Sequence, residues 1–225
     1  MSDLISRLEL AFEKLANPDF ADRMSSYLKN QFEFYGIKQG PRRQVVKDIL
    51  KSDLPNYDDV PELIQEMYSR NEREWHYSAI DLMLKYKKLW KSSDIDLVEW
   101  MCVNHSWWDT VDGISIWIAG ELLGRHKDLA PQRPNKWIES DNLWLQRMAI
   151  IFQLKYRNEL DFELLKRYIL RRADSKEFFI QKASGWALRE QSKYQPNDVI
   201  AFAEAHPELA ALTKREALRL IKKKS

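Results

Sequence analysis

The sequence predicts an all-α protein, a solenoid of HEAT-like helical repeats with one concave side, over residues 1–225 as a single domain. Three observations predict it. Nearly every segment carries apolar residues at helical spacing, and none alternates convincingly with period two. Only 6 Gly and 8 Pro occur in 225 residues, too few turn formers for a hairpin-rich β protein. A motif also recurs along the chain: an alanine, an aliphatic or small residue, four further positions, then a basic–aromatic ending. It stands at Ala79-Ile80…Lys85-Tyr86, Ala149-Ile150…Lys155-Tyr156 and Ala187-Leu188…Lys193-Tyr194. Weaker copies are Ala119-Gly120…Arg125-His126 and Ala217-Leu218…Lys223-Lys224. The offsets of 40, 30, 38 and 30 residues are those of stacked helix pairs.

The elements follow in order. In "DLISRLELAFEKLA", Leu4, Leu8, Phe12 and Leu15 form one stripe. Asn17 followed by Pro18 is an N-cap and a first helical residue, and Gly40-Pro41 opens a third helix. Asp174 with Glu177, and Thr213 with Glu216, have capping-box spacing; Ser106 with Asp109 is a looser version.

Composition narrows the class further. Lys and Arg number 36 against 34 Asp and Glu, so net charge does not announce a polyanion binder, although the charges can sort onto separate faces. A single cysteine, Cys102, excludes an internal disulfide framework and fits a reducing compartment. The charged start "MSDLISRLELAFEKLA" is unlike a signal peptide, and no apolar run suggests a membrane span. A cytoplasmic, monomeric protein is expected. Cys102 and His105 are one Cys–His pair, and His76, His126 and His206 lack ligand spacing, so no metal is expected.

The stretch "NHSWWDTVDG" raises the functional question. In a helix starting after Ser106, Trp107, Val111, Ile114, Ile118 and Leu122 make a sufficient core stripe. Trp108, Asp112, Ser115 and Ala119 fall on a neighbouring stripe, with Trp108 and Asp112 one turn apart. The plainer reading makes Trp108 core and Asp112 a solvated acid favoured by the helix dipole. Asp109 is assigned to capping. Arg147, amid Leu143, Trp144, Leu145 and Met148, needs an anion or a path to solvent. Trp186, Arg189 and Lys193 share a stripe of one aromatic and two cations. Arg42 and Arg43 lie in the first turn of their helix, where phosphate contact and a salt bridge to Asp48 or another acid account for them equally.

"SWWDTVDG", the arginine of "LWLQRMAI", "FFIQKASGWALRE" and "YLKNQFEFYGIKQGPRRQVVKDIL" together resemble the AlkD-type DNA alkylation-repair glycosylases. The likeness runs from about residue 20 to the C-terminus, in the same order and at compatible spacing. It implies a concave face that holds duplex DNA and excision of cationic N3- and N7-alkylated purines such as 3-methyladenine and 7-methylguanine. It implies Asp112, Trp108 and Trp186 as the catalytic trio, Arg147 as a cleft arginine and Tyr27 as a tyrosine near the lesion. Lys182, Arg189, Lys193, Arg42 and Arg43 are the further candidate DNA contacts. It implies no cofactor. Gln191 departs from the pattern, which has an aromatic residue after "LRE".

The chemistry suits these residues. An alkylated purine carries positive charge and leaves as a neutral molecule, so it needs little acid assistance. Ordinary glycosidases need two carboxylates; here one should suffice, Asp112, to stabilise the sugar cation and orient water. Two other readings stay open: a helical-repeat scaffold that binds protein, and a non-catalytic binder of nucleic-acid structures.

Overall fold

The computed structural model describes residues 3–221, all-helical with no strand among them; Glu33 and Glu72 form one isolated bridge. Two compact units result, Met1–Trp90 and Lys91–Ser225.

The first unit contains α1 (Asp3–Leu15), α2 (Pro18–Tyr27), α3 (Gln39–Ser52), α4 (Val60–Tyr68) and α5 (Arg73–Lys85). Leu4, Leu8 and Phe12 of α1 are buried as the periodicity predicts, but Leu15 is exposed and Ile5 takes its place in the core. Asn17 caps α2, its side chain accepting from the Phe20 amide, with Pro18 in the first turn. The loop before α3 is held from inside. Glu74, buried, accepts from the amides of Tyr35, Gly36 and Ile37 at 2.9–3.1 Å. Gly36 has φ +85°, and a Cβ there would collide with the Asn17 carbonyl, so glycine is required. His76 is a satisfied core residue: Arg73 donates to its Nδ1 at 3.1 Å, and its Nε2 donates to the Arg70 carbonyl at 3.2 Å.

The second unit is built from helix pairs. The first members are α6 (Ile95–Val103), α9 (Gln132–Glu139), α11 (Phe162–Arg171) and α13 (Pro196–Ala205). The second members are the continuous run α7 (Trp108–Gly113), a π segment (Ile114–Ala119) and α8 (Gly120–Arg125), then α10 (Leu143–Ile151), α12 (Phe178–Gln191) and α14 (Ala211–Ala217). Each second helix packs on its own first helix and on the next second helix. The recurring alanines explain the stacking. Ala119, Ala149, Ala187 and Ala217 all lie on second helices and are buried, as is Ala79 on α5 of the first unit. The Lys223-Lys224 ending of the last copy lies outside the described residues.

Three predicted caps do not form. α12 starts at Phe178 with Glu177 as its N-cap, so Asp174 and Glu177 form no capping box. Thr213 lies inside α14 and donates to the Gln181 carbonyl at 3.1 Å, while Glu216 is paired with cations of α12. Ser106 donates to the Cys102 carbonyl rather than capping, and Trp107 is the N-cap of α7.

Candidate active site

α7 begins after a tight turn in which His105 takes φ +45°. Trp107 is extended, and its carbonyl accepts from the Thr110 and Val111 amides. Val111, Ile114, Ile118 and Leu122 are fully buried, as their spacing predicts. The neighbouring stripe is mixed: Ser115 and Ala119 are also buried, whereas Trp108 and Asp112 are partly exposed.

α10 begins at Asn142, whose side chain accepts from the Trp144 and Leu145 amides. This start places Arg147 against Asp112 of the preceding second helix. Nε donates to Oδ1 at 2.7 Å and Nη2 to Oδ2 at 2.9 Å, a two-point grip. The remaining terminal nitrogen, Nη1, donates to the Phe179 carbonyl at 2.6 Å, at the start of α12. Arg147 is buried; the Asp112 side chain keeps 20% exposure. Burial pushes the Asp112 carboxyl above its ordinary value, and the hydrogen bonds and charge of Arg147 pull the other way.

An aromatic cluster adjoins the pair, with the Arg147 guanidinium 6.0 Å from the Phe179 ring centroid. Trp107, Trp144 and Phe179 form a triangle with ring centroids 5.6, 5.2 and 5.0 Å apart. Phe178 lies against Phe179 at 5.4 Å. Trp186 is partly exposed, two turns along α12 from Phe179 and therefore on the same face. The paired phenylalanines of "FFIQKASGWALRE" and Trp144 were readable as aromatic, but their place around Arg147 depends on helix stacking.

Arg147, the expected cleft arginine that needs an anion, donates from Nε, Nη1 and Nη2 to Asp112 and to the Phe179 carbonyl. The further candidate cations also have acid partners. Arg42 is buried, bound to Asp81 at 2.7 Å and Ser78 at 3.0 Å. Its acid is Asp81; Asp48 accepts from Gln44 instead. Lys182 pairs with Glu216 at 3.0 Å, and Arg189 pairs with the same carboxylate. Burial alone would raise the Glu216 carboxyl, but these cations hold it below its ordinary value. Arg43 reaches Asp81 at 3.3 Å and stays half exposed. Lys193 pairs with Glu190 on the surface. Tyr27 is 72% exposed at the end of α2. Tyr27, Arg42 and Arg43 belong to the first unit; Trp108, Asp112, Arg147 and Trp186 belong to the second. Gln191, at the departure from the family pattern, is buried and donates to Gln195 at 2.8 Å.

Among the described residues no three His, Cys, Asp or Glu side chains come together as a metal site, and no helix is long and apolar enough to cross a membrane. Cys102 is fully buried, which drives its thiol pKa well above the ordinary value and leaves it unreactive.

A stack of helix pairs in which a buried guanidinium grips a partly exposed carboxylate defines a helical-repeat protein with a candidate enzyme site. The chain belongs to the DNA alkylation repair enzyme family, whose model matches residues 8–221. It is similar to a solved structure described as "Predicted DNA alkylation repair enzyme from Enterococcus faecalis", at 31% identity and a TM-score of 0.86, covering 92% of this chain and 97% of that one. No curated protein matches the chain. Membership supports a role in DNA alkylation repair.

Proposed function

We propose that the chain is an alkylpurine DNA N-glycosylase of base excision repair, acting on cationic N3- and N7-alkylated purines in duplex DNA. The observation that carries this reading is the Asp112–Arg147 pair. A buried ion pair contributes little net stability compared with apolar residues of similar size. This one is nevertheless built at a partly open position, one helical turn after Trp108. A partly desolvated, rigidly oriented carboxylate is what a developing cation requires.

In the proposed reaction the C1′–N bond of the alkylated purine breaks, and its electron pair goes to the base, which departs neutral. The sugar becomes an oxocarbenium ion, and Asp112 stabilises that charge. Water then adds at C1′ and loses a proton to Asp112 or to solvent, leaving an abasic site. Trp108 and Trp186 pack their ring faces against the cationic nucleotide, a contact worth roughly 0.5–2 kcal/mol. Arg147 is a positioning residue that fixes both carboxylate oxygens. Tyr27, Arg43 and Lys193 remain the candidate DNA contacts, since each is exposed enough to exchange its present neighbours for a phosphate.

The test is incubation of the protein with methylated duplex DNA and identification of the freed bases. Release of 3-methyladenine or 7-methylguanine with matching abasic sites is the expected result. Tight DNA binding without base release would favour the non-catalytic binder.

A further inference from the structure

We propose that Trp117 and Lys155 form a second contact for the DNA backbone, beside Asp112 on the same exposed helix face. The assignment rests on the DNA-repair reading of Asp112.

The π segment creates the position. Its hydrogen bonds span five residues, as in Gly120 N–H to the Ser115 carbonyl, so it inserts an extra residue into the turn. In a regular α-helix the residue one turn after Asp112 would be Ile116. Here Ile116 is buried and Trp117 is 52% exposed, so the stripe begun by Trp108 and Asp112 continues at Trp117. The other sides of this helix are taken by α6 and α10.

Lys155 completes the site from the next repeat. It follows α10, and its Nζ stands 4.7 Å from the Trp117 ring centroid. Its neighbour Tyr156 donates to the Gly120 carbonyl at 2.6 Å, which fastens this turn to the end of the π segment. Lys155 is exposed and forms no ion pair among the described residues. Arg147, Lys182, Arg189 and Lys193, the cations of the second unit marked by the sequence as ligands, all have acid partners. An uncompensated ammonium over an exposed indole fits a phosphodiester: Lys155 on the phosphate, the Trp117 face on the adjoining deoxyribose.

The test measures duplex DNA affinity across a salt series for the parent, Lys155→Gln, Trp117→Ala and Trp117→Phe, with thermal melts to verify folding. Lys155→Gln should lower the magnitude of the log–log salt slope by about 1. Trp117→Ala should weaken binding roughly two- to tenfold, with Trp117→Phe recovering most of the loss. The protein concentration giving half-maximal base release should rise in step. Folded variants with parental affinity and salt slope overturn the proposal, including the case in which only self-association or a protein partner responds. If the parent releases no base, the glycosylase reading fails, and the binding measurements decide the Trp117–Lys155 contact by themselves.

Discussion

Asp112 is held in a balance that its acid limb should report. Burial raises its pKa and Arg147 opposes the rise, with the net shift upward. The protonated form is thus favoured by folding: that contribution to stability is present below the unfolded pKa and is lost as pH rises through the folded one. Catalysis runs the opposite way, because only the ionised form stabilises a cation. Base release, corrected for spontaneous loss, should therefore fall on acidification at a pH above that of an ordinary aspartate. Removing Arg147 should move this limb higher still. Arg147→Lys should not restore it, since an ammonium cannot donate side-on to both oxygens. A limb at the same pH in parent and Arg147→Lys would show that the grip does not tune Asp112. Arg147→Ala should also destabilise by about 3–5 kcal/mol, toward the lower end because Asp112 keeps some exposure.

The pairing itself was half legible. An arginine among Leu143, Trp144, Leu145 and Met148 demanded an anion or a path to solvent. That the anion is Asp112, 35 positions earlier, depends on how α10 stacks on α7, which no local pattern encodes. Arg42 illustrates the same limit: its place in a first turn suggested an anion, and the fold supplies Asp81 from α5.

At the scale of elements, packing decides where helices meet. Gly185 lets α14 approach α12, since a Cβ there would stand 2.6 Å from the Glu216 Cβ and 2.9 Å from the Thr213 carbonyl oxygen. Gly185→Ala should destabilise by about 1–3 kcal/mol through overpacking, read as a lower urea midpoint at unchanged slope. An unaltered midpoint would mean that α14 shifts freely. Helix existence was legible from periodicity, and the Asn17-Pro18 start from cap chemistry. The predicted box at Thr213 failed because its hydroxyl and acid found longer-range partners, Thr213 bonding Gln181 and Glu216 pairing with Lys182 and Arg189, whereas the one at Asp174 failed because α12 starts three residues later than its spacing requires, with Glu177 as the N-cap. The π segment left no signature in the sequence, since "ISIWIA" reads as ordinary helix.

For the whole molecule, near-neutral charge has a structural counterpart. Several of its cations are held in partly buried ion pairs, among them Arg42, Arg147, Lys182 and Arg189, while others such as Arg43 and Lys193 pair on the surface. Two classes of basic residue should therefore separate experimentally. Arg42→Gln and Arg189→Gln should lower the melting temperature by leaving Asp81 or Glu216 undercompensated. Arg43→Gln and Lys193→Gln should leave it nearly unchanged and reduce the salt dependence of DNA binding by at most about 1 in slope each. A melting temperature untouched by Arg42→Gln would count against the interior role of that arginine. The repeat spacing made the helix-pair architecture legible at this scale, because small residues must recur where helices stack.

The most direct measurement of the central claim is the single-turnover rate of 7-methylguanine release by Asp112→Asn and by the parent, at protein concentrations that saturate the DNA. The amide keeps the size of the side chain and removes its charge, so binding should persist while release slows by about 10²–10³-fold. Equal rates in the two proteins would contradict the assignment of Asp112 to the sugar cation.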